Sequence, residues 1–521
     1  MAILDKLFQV PYLVQGVCIG FVVLFIASFW DDISDEIPFT QVPLVGKSWW
    51  DFSNKKAKLR FTRAARGLIA EGFAKANVFQ VMAASRPLIL LHPKYIEEIK
   101  SHPHLDFDGA TRKTFFDDRV AGFEAFHPAG AGQIVQDLVR IKLTQALGAL
   151  TTPLSAETAL ILKQTFPPSE KWESCHFSRT VPLIVARLST LVFMGNDICR
   201  NQEWLNVAVN YTTDAFMSAR ELRMWPSVLR PYVHWFMPSM KKLRNHLSTA
   251  RSIVSDEIEK RTLINEGRLP SQHRTHPDAL DWIEELEAKN PPARPIDKAR
   301  LQVSLSMAAI HTTSNLITNL MYDLASYPEF VQPLREEICA VLAEDGGLKR
   351  TSLHKLKLMD SVMKETQRMH PVSMTSLNRL AVKAIPLSDG TVIPQGAQIA
   401  VANIVNQDET IYPHAAKYDG FRFYKKRQEP GNEHRHQFVT TSSDSFGFGH
   451  GTHACPGRFF ASNEVKILVI HMLLKYDWQL KDSSNGRPRN FEMGAESVPS
   501  PIVELLFRSR EPEVDLSCLG E

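Results

Sequence analysis

The sequence predicts a mainly α protein, a large helical domain with a small β region, preceded by an N-terminal transmembrane helix. Three observations predict it. Residues 7–30 carry no charge, helical periodicity dominates from a short linker to about Pro371, and short alternating runs broken by turn residues follow Pro371.

Taken in order, the apolar stretch VPYLVQGVCIGFVVLFIASFW is long enough to cross a hydrocarbon core of roughly 30 Å as a helix. It is read as a membrane anchor over residues 1–31, with Tyr12 and Trp30 suited to the two interfaces. A cleaved signal peptide is the competing reading, but it calls for a shorter apolar run and a cleaner small-residue cleavage site. Pro38, Pro43 and Gly46 mark a linker over 32–47, and residues 48–521 form the main domain. Pro226 to Met240 is unusually aromatic, as a segment touching lipid, a pocket guard or a plain buried connection would be. Leu269 to Pro295 reads partly as a surface excursion. A long helix is predicted from about Asp297 to Tyr327, between Pro295 and Pro328. Its middle, Ala308-Ala309-Ile310-His311-Thr312-Thr313, turns from bulky to small and then polar. Small side chains there let a flat ligand approach, and a hydroxyl can pass protons; threonines bonded back to carbonyls one turn earlier would look the same. Asp389-Gly390 and Pro394-Gln395-Gly396 break the strand-like runs, and a last helix is predicted from about Arg458 to Leu474.

Composition sets limits. Of 521 residues, 44% are hydrophobic and 22% charged, which suits a folded protein with a large core; length alone allows about three domains. A net charge of +3, with no basic stripe interleaved with aromatics, argues against nucleic-acid binding. Six scattered cysteines, one inside the proposed membrane span, do not make a disulfide framework and fit a reducing, cytosol-facing domain.

The stretch FGFGHGTHACPGRFFA, Phe446 to Ala461, carries the chemistry. Backbone N–H groups on a glycine-rich loop, and the N-terminus of the helix that follows, favour a thiolate at Cys455. Zinc on His450, His453 and Cys455 lacks a fourth ligand and a familiar spacing. A cysteine nucleophile based on His453 lacks an orienting third group. Haem iron on one proximal thiolate accounts for the loop and for the small-residue break in the long helix.

Phe448, Gly451, Cys455 and Gly457 match F-x-x-G-x-x-x-C-x-G, and the chain here resembles the cytochrome P-450 superfamily. Glu365-Thr366-Gln367-Arg368, the one E-x-x-R in the chain, and Phe421-Arg422-Phe423 resemble two further segments of that family in the same order. The resemblance spans nearly the whole chain and implies one P-450 domain, which sets the three-domain allowance aside. It implies haem b with Cys455 as the axial thiolate to iron, Phe448 packed near the ring, and Gly451 and Gly457 permitting the loop's tight path. His453 and Arg379 would contact the propionates; Glu365, Arg368 and Arg422 would form a buried structural network.

Two departures stand out. Where the family reads [AG]-G-x-[DE]-T, this chain has Ala308-Ala309-Ile310-His311-Thr312, keeping the threonine for proton delivery but replacing the acid with a histidine that could relay protons or order water. The family's W-x-x-x-R is missing, and Arg140 or Lys142 would stand in for its basic residue. By family position, Phe107, Phe116, Phe216, Met217, Ala308, Ala309, Val372, Met374 and Val498 would line a pocket for a bulky lipophilic molecule. The segment from Trp172 to Leu205 and the AIHTTS helix centre look most like fungal enzymes acting on terpenoid or meroterpenoid metabolites. The resemblance further implies oxygen insertion from O2, NADPH electrons from a separate reductase, and a single-pass endoplasmic-reticulum anchor with a cytosol-facing domain. A reductase-independent haem-thiolate isomerase or dehydratase, and a non-catalytic haem- or zinc-binding protein, are the alternatives.

Overall fold

The computed structural model describes residues 36–519 except 117–118, 128–131, 271–275, 293–294 and 485, together with residues 14, 16, 17, 19, 20 and 23. Most of the proposed anchor therefore lies outside the described residues. Those described within it are helical, and Val14, Val17, Ile19 and Val23 expose their side chains. Among the described residues, Phe177–Met194 is the one helix long and apolar enough to span a membrane, and it is mostly buried inside the protein. It is a core helix.

The long helix runs Lys298–Ser326, 29 residues, which at 1.5 Å each is roughly 44 Å. Asp297 caps its start by accepting from the Arg300 N–H at 2.9 Å, and Pro328 follows its end. Helices Phe177–Met194, Gln202–Arg223 and Pro238–Asn265 pack along it. The small middle predicted from the sequence thus sits at the centre of the helical domain.

The β region is larger than the sequence reading gives. A six-stranded sheet runs in the order Leu44–Val45, Val78–Met82, Pro87–Leu91, Gln398–Ala402, Thr375–Ala381, Leu105–Asp106. Four of these strands precede Pro371, in a region whose pattern reads as mostly helical. VFQVM and PLILL are apolar at nearly every position and buried throughout. A run buried on both faces loses the alternation that separates strand from helix. A second sheet joins Tyr476–Leu480, Leu505–Ser509 and Glu173–Cys175, and Phe491–Met493 pairs with Glu496–Val498 in a hairpin. Residues 36–47, read as linker, are held by the domain. Leu44–Val45 pairs with Gln80–Val81, and Glu36 forms ion pairs with Arg230 at 3.1 Å and Lys58 at 3.3 Å.

Next to that ion pair, the connection from Met224 to Phe236 exposes Met224, Trp225, Leu229, Tyr232, Trp235 and Phe236. Trp49, Trp50 and Phe52 are also exposed. These nine side chains would otherwise favour burial, since each apolar Å² left in water costs about 25 cal/mol.

Candidate active site

The loop around Cys455 closes on itself before the helix Arg458–Lys475. The Cys455 N–H donates to the Phe448 carbonyl at 2.7 Å, Gly449 to Phe446 at 2.8 Å, and Ala454 to Gly451 at 3.1 Å. Gly451 has φ +78°, and a Cβ there would stand 2.4 Å from the Lys100 carbonyl oxygen, so glycine is required. Gly457 differs: its φ is −88° and an added Cβ would meet Val139 at an ordinary 3.6 Å. Its bareness serves the cavity it lines, not the backbone path. Phe448 packs edge-on against Phe438 at 5.0 Å.

Cys455 opens into a cavity of about 460 Å³. Phe448, Pro456, Gly457 and Phe460 wall it beside the thiol; Ala308, Ala309, Thr312 and Leu316 of the long helix, Val139 and Leu143, and Pro371 and Val372 form the rest. The walls are mostly apolar, as a flat lipophilic cofactor or substrate requires. Burial pushes the Cys455 thiol up; the N–H of Gly457 and the charge and N–H of Arg458 pull it back only in part. A cation in the cavity would complete the stabilisation of a thiolate.

A second cradle fits an acidic group. Arg379 is buried, its Nη1 donates only to the neighbouring Asn378 carbonyl at 2.7 Å, and no described carboxylate pairs with it. Burial alone pushes its pKa down to about 10. Phe107 joins it to the loop: the Arg379 guanidinium lies 5.3 Å from the Phe107 ring, which stacks on His453 at 5.7 Å. Burial and then the Arg379 charge hold His453 below its ordinary value. An unpaired buried guanidinium beside an apolar slot that ends on a cysteine suits a haem with acidic side chains. Zinc fares worse. His450 bonds Thr441 at 3.1 Å and approaches Glu97 at 3.5 Å, and no described group of three His, Cys, Asp or Glu side chains is arranged for a metal ion.

Thr312 lines the cavity with its hydroxyl donating to the Ala308 carbonyl at 2.8 Å, one turn back. The back-bonded geometry and the cavity position coexist, and the oxygen keeps its lone pairs for a partner in the cavity. His311 is elsewhere. Its Nε2 bonds the Val209 carbonyl at 2.8 Å on the helix Gln202–Arg223, and it does not line the cavity. The proton-relay role expected of it has no support in this geometry; on an α-helix the next residue points about 100° away.

Of the expected pocket residues, Ala308, Ala309 and Val372 line the cavity. Met374 does not: it is buried with Phe79, Val81 and Leu88 against the large sheet. Phe216 packs on Phe115 at 5.0 Å and Phe126 at 6.2 Å, Met217 is open, Phe116 lies under Arg223 at 5.7 Å, and Val498 is half-exposed on the hairpin. Lys142 turns outward to Glu285, leaving Arg140 as the basic residue of that turn, close enough for its charge to be felt by Arg458. Both stand on a π-helical turn, Leu138–Leu143, that interrupts the helix continuing to Thr165. π turns recur at functional sites because they re-aim side chains.

Two buried charge networks hold the site's frame. Glu365 accepts from Arg368 at 2.7 and 2.9 Å and from Arg422 at 3.1 Å on both oxygens. The spare donors of Arg368 and Arg422 reach the carbonyls of Ala415 and Pro413. Sequence reading missed the second network, in which Asp323 accepts from Arg487 at 2.9 Å, from Thr366 at 2.7 Å, and pairs with His370 at 3.1 Å. It also missed Asn315, whose Nδ2 donates to the Ser497 carbonyl at 2.9 Å and ties the hairpin over the cavity.

Comparison with known proteins agrees with this geometry. Residues 70–506 match the family model described as Cytochrome P450. The chain is 39% identical over 486 residues to cytochrome P450 monooxygenase ptmU of Penicillium ochrochloron, covering 92% of this chain and 94% of that protein. It is 38% identical to cytochrome P450 monooxygenase ntnM of a Nectria species, over 90% and 89% of the two chains. It is 39% identical to cytochrome P450 monooxygenase trt6 of Aspergillus terreus, over 88% and 92%. A cysteine loop opening on an apolar cavity, a buried unpaired arginine beside it and a match over most of the length have one common explanation: the chain belongs to the cytochrome P450 family and is a haem-thiolate monooxygenase.

Proposed function

We propose that this monooxygenase inserts one oxygen atom from O2 into a C–H or C=C bond of a lipophilic terpenoid or meroterpenoid of fungal secondary metabolism. Electrons come from NADPH through a reductase, as in the family this chain belongs to. The observation that carries the reading is the single cavity shared by Cys455 and Thr312. Bound haem supplies the oxygen-activating chemistry. Cys455 would hold the iron through its thiolate, with the Gly457 and Arg458 N–H groups directed at its sulfur. Arg379 and His453, which flank the Phe107 ring, would hold the acidic side chains of the haem. Thr312 presents its hydroxyl oxygen to the cavity and holds its own proton on the Ala308 carbonyl, from where it can be handed inward. The apolar walls exclude water and position the substrate by shape.

Residues 1–31 anchor the protein in the endoplasmic-reticulum membrane with residues 48–521 facing the cytosol. The exposed aromatic side chains from Met224 to Phe236 support this, because the Arg230–Glu36 ion pair joins them to the point where the chain leaves the apolar run. Aromatic residues favour the membrane interface.

The test is the reduced, carbon-monoxide-bound difference spectrum of the membrane fraction, with iron analysis, for wild type and Cys455→Ser. Wild type is expected to show the red-shifted Soret band of a thiolate-ligated haem, and the variant to lack it. A folded wild-type protein with no such band would sink the assignment of Cys455, and product formation without added reductase and NADPH would sink the electron route.

A further inference from the structure

One buried residue of the hairpin, Ser497, bridges two walls of the cavity with its own backbone. Its N–H donates to the Val372 carbonyl at 2.9 Å, and its carbonyl accepts from Asn315 Nδ2 at 2.9 Å. Val372 and Asn315 both line the cavity, the first just beyond the helix Lys357–Met369 and the second on the long helix. The spacing of these walls is therefore fixed by where Ser497 stands.

Its side chain is fixed as well, by a circuit of hydrogen bonds that closes on itself. Asn490 Nδ2 donates to Ser497 Oγ at 3.1 Å, and Asn490 Oδ1 accepts from Arg487 Nη1 at 3.2 Å. Arg487 Nη2 donates to Asn319 Oδ1 at 2.6 Å, Asn319 Nδ2 donates to Asn315 Oδ1 at 2.8 Å, and Asn315 returns to Ser497. Asn315, Asn319 and Ser497 are all buried. A guanidinium can only donate, so Asn319 must turn its oxygen to Arg487 and its N–H to Asn315. The oxygen of Asn315 is thereby taken, and its N–H is left for the Ser497 carbonyl. Arg487 is itself aimed by Asp323, which accepts from its Nε at 2.9 Å. Arg487, Asn319 and Asn490 do not line the cavity.

We propose that Arg487, acting through Asn319 and Asn490, sets the size of molecule the cavity admits, as a positioning residue that does not touch substrate. It orients both amides that lock Ser497, and Ser497 holds the two walls at one separation. Breaking the circuit lets the walls part, which gives room to a bulky ligand and nothing to a small one bound at the iron. This deepens the monooxygenase reading of the cavity and rests on it.

The experiment uses the haem-loaded full chain and measures dissociation constants from the Soret shift for imidazole and for two larger azoles, 4-phenylimidazole and clotrimazole. Asn490→Leu and Asn319→Leu are expected to raise the affinity for at least one larger azole relative to imidazole about three-fold or more. Asn490→Asp is expected to keep the wild-type ratios, because a carboxylate still accepts from Arg487 and from the Ser497 hydroxyl. Asn490 is only half-buried, so its variants carry the test even where the fully buried Asn319→Leu does not fold. A smaller rise or a fall in Asn490→Leu overturns the proposal, and so does an Asn490→Asp that behaves like Asn490→Leu. A merely stabilising role would lower folded yield and leave these ratios alone. Failure of the haem-thiolate reading is distinct, since wild type would then lack both the red-shifted carbon-monoxide band and any azole shift.

Discussion

Glu464 offers the sharpest test of the electrostatics inside the helical core. It is wholly buried in the helix that follows the cysteine loop, and Ser189 donates to its Oε1 at 2.8 Å while Oε2 has no partner among the described residues. Burial pushes its carboxyl up to about 8, with the serine bond acting weakly against it. An acid whose folded pKa exceeds its unfolded value holds its proton more tightly in the folded chain. It therefore costs nothing below about pH 4.5, and the cost grows as pH rises until it levels near pH 8. At 1.36 kcal/mol per pH unit the full gap amounts to on the order of 5 kcal/mol, an upper figure because water entry and relaxation reduce it. Glu464→Gln keeps the shape and the acceptor for Ser189 but never ionises. Thermal unfolding of the haem-loaded protein, scanned at one rate at pH 5 and at pH 8.5, provides the assay. The variant is expected to melt several degrees above wild type at pH 8.5 and to converge with it at pH 5, where less than about 1 kcal/mol of the cost remains. An equal gain at both pH values, or none at either, would refute the assignment of a protonated core carboxyl.

Two further outcomes follow from the site's frame. Gly451→Ala forces a Cβ against the Lys100 carbonyl at a positive φ, so the cysteine loop shifts and haem content per folded protein falls sharply, as read by the ratio of Soret to protein absorbance. For Asp323, burial acts to raise the carboxyl, but His370 and Arg487 outweigh it and hold it below its ordinary value. A depressed acid contributes stability that is present above about pH 3.9 and lost as pH falls further. Arg487→Met is expected to cost roughly 3–5 kcal/mol at neutral pH, seen in denaturant unfolding, with the deficit shrinking toward acid pH.

What the sequence revealed depended on how far apart the interacting residues lie along it. The cysteine loop is contiguous, so glycines, cysteine and following helix were readable together, and the structure keeps their relation. Glu365 and Arg368 are one helical turn apart, a spacing that any amphipathic helix can carry, so the network they form with Arg422 was legible only through the family resemblance. Asp323 and Arg487 lie 164 residues apart with no motif to join them, and Arg223 meets Thr114 across 109. Such pairings exist only once the fold has been made. The early strands were lost because burial on both faces erased their alternation. His311 was misplaced for a local reason: its neighbour Thr312 faces the cavity, and one residue of helix rotation sends the imidazole to the other side.

That displaced histidine links two parts of the protein that would otherwise move separately. Burial holds His311 below its ordinary value, so at neutral pH it is an uncharged imidazole whose bond to the Val209 carbonyl joins the long helix to the helix Gln202–Arg223. Any displacement of that helix away from the long one would have to break this bond, next to Thr312 in the cavity wall. A single neutral imidazole thus fastens the Gln202–Arg223 helix to the turn of the long helix that borders the cavity.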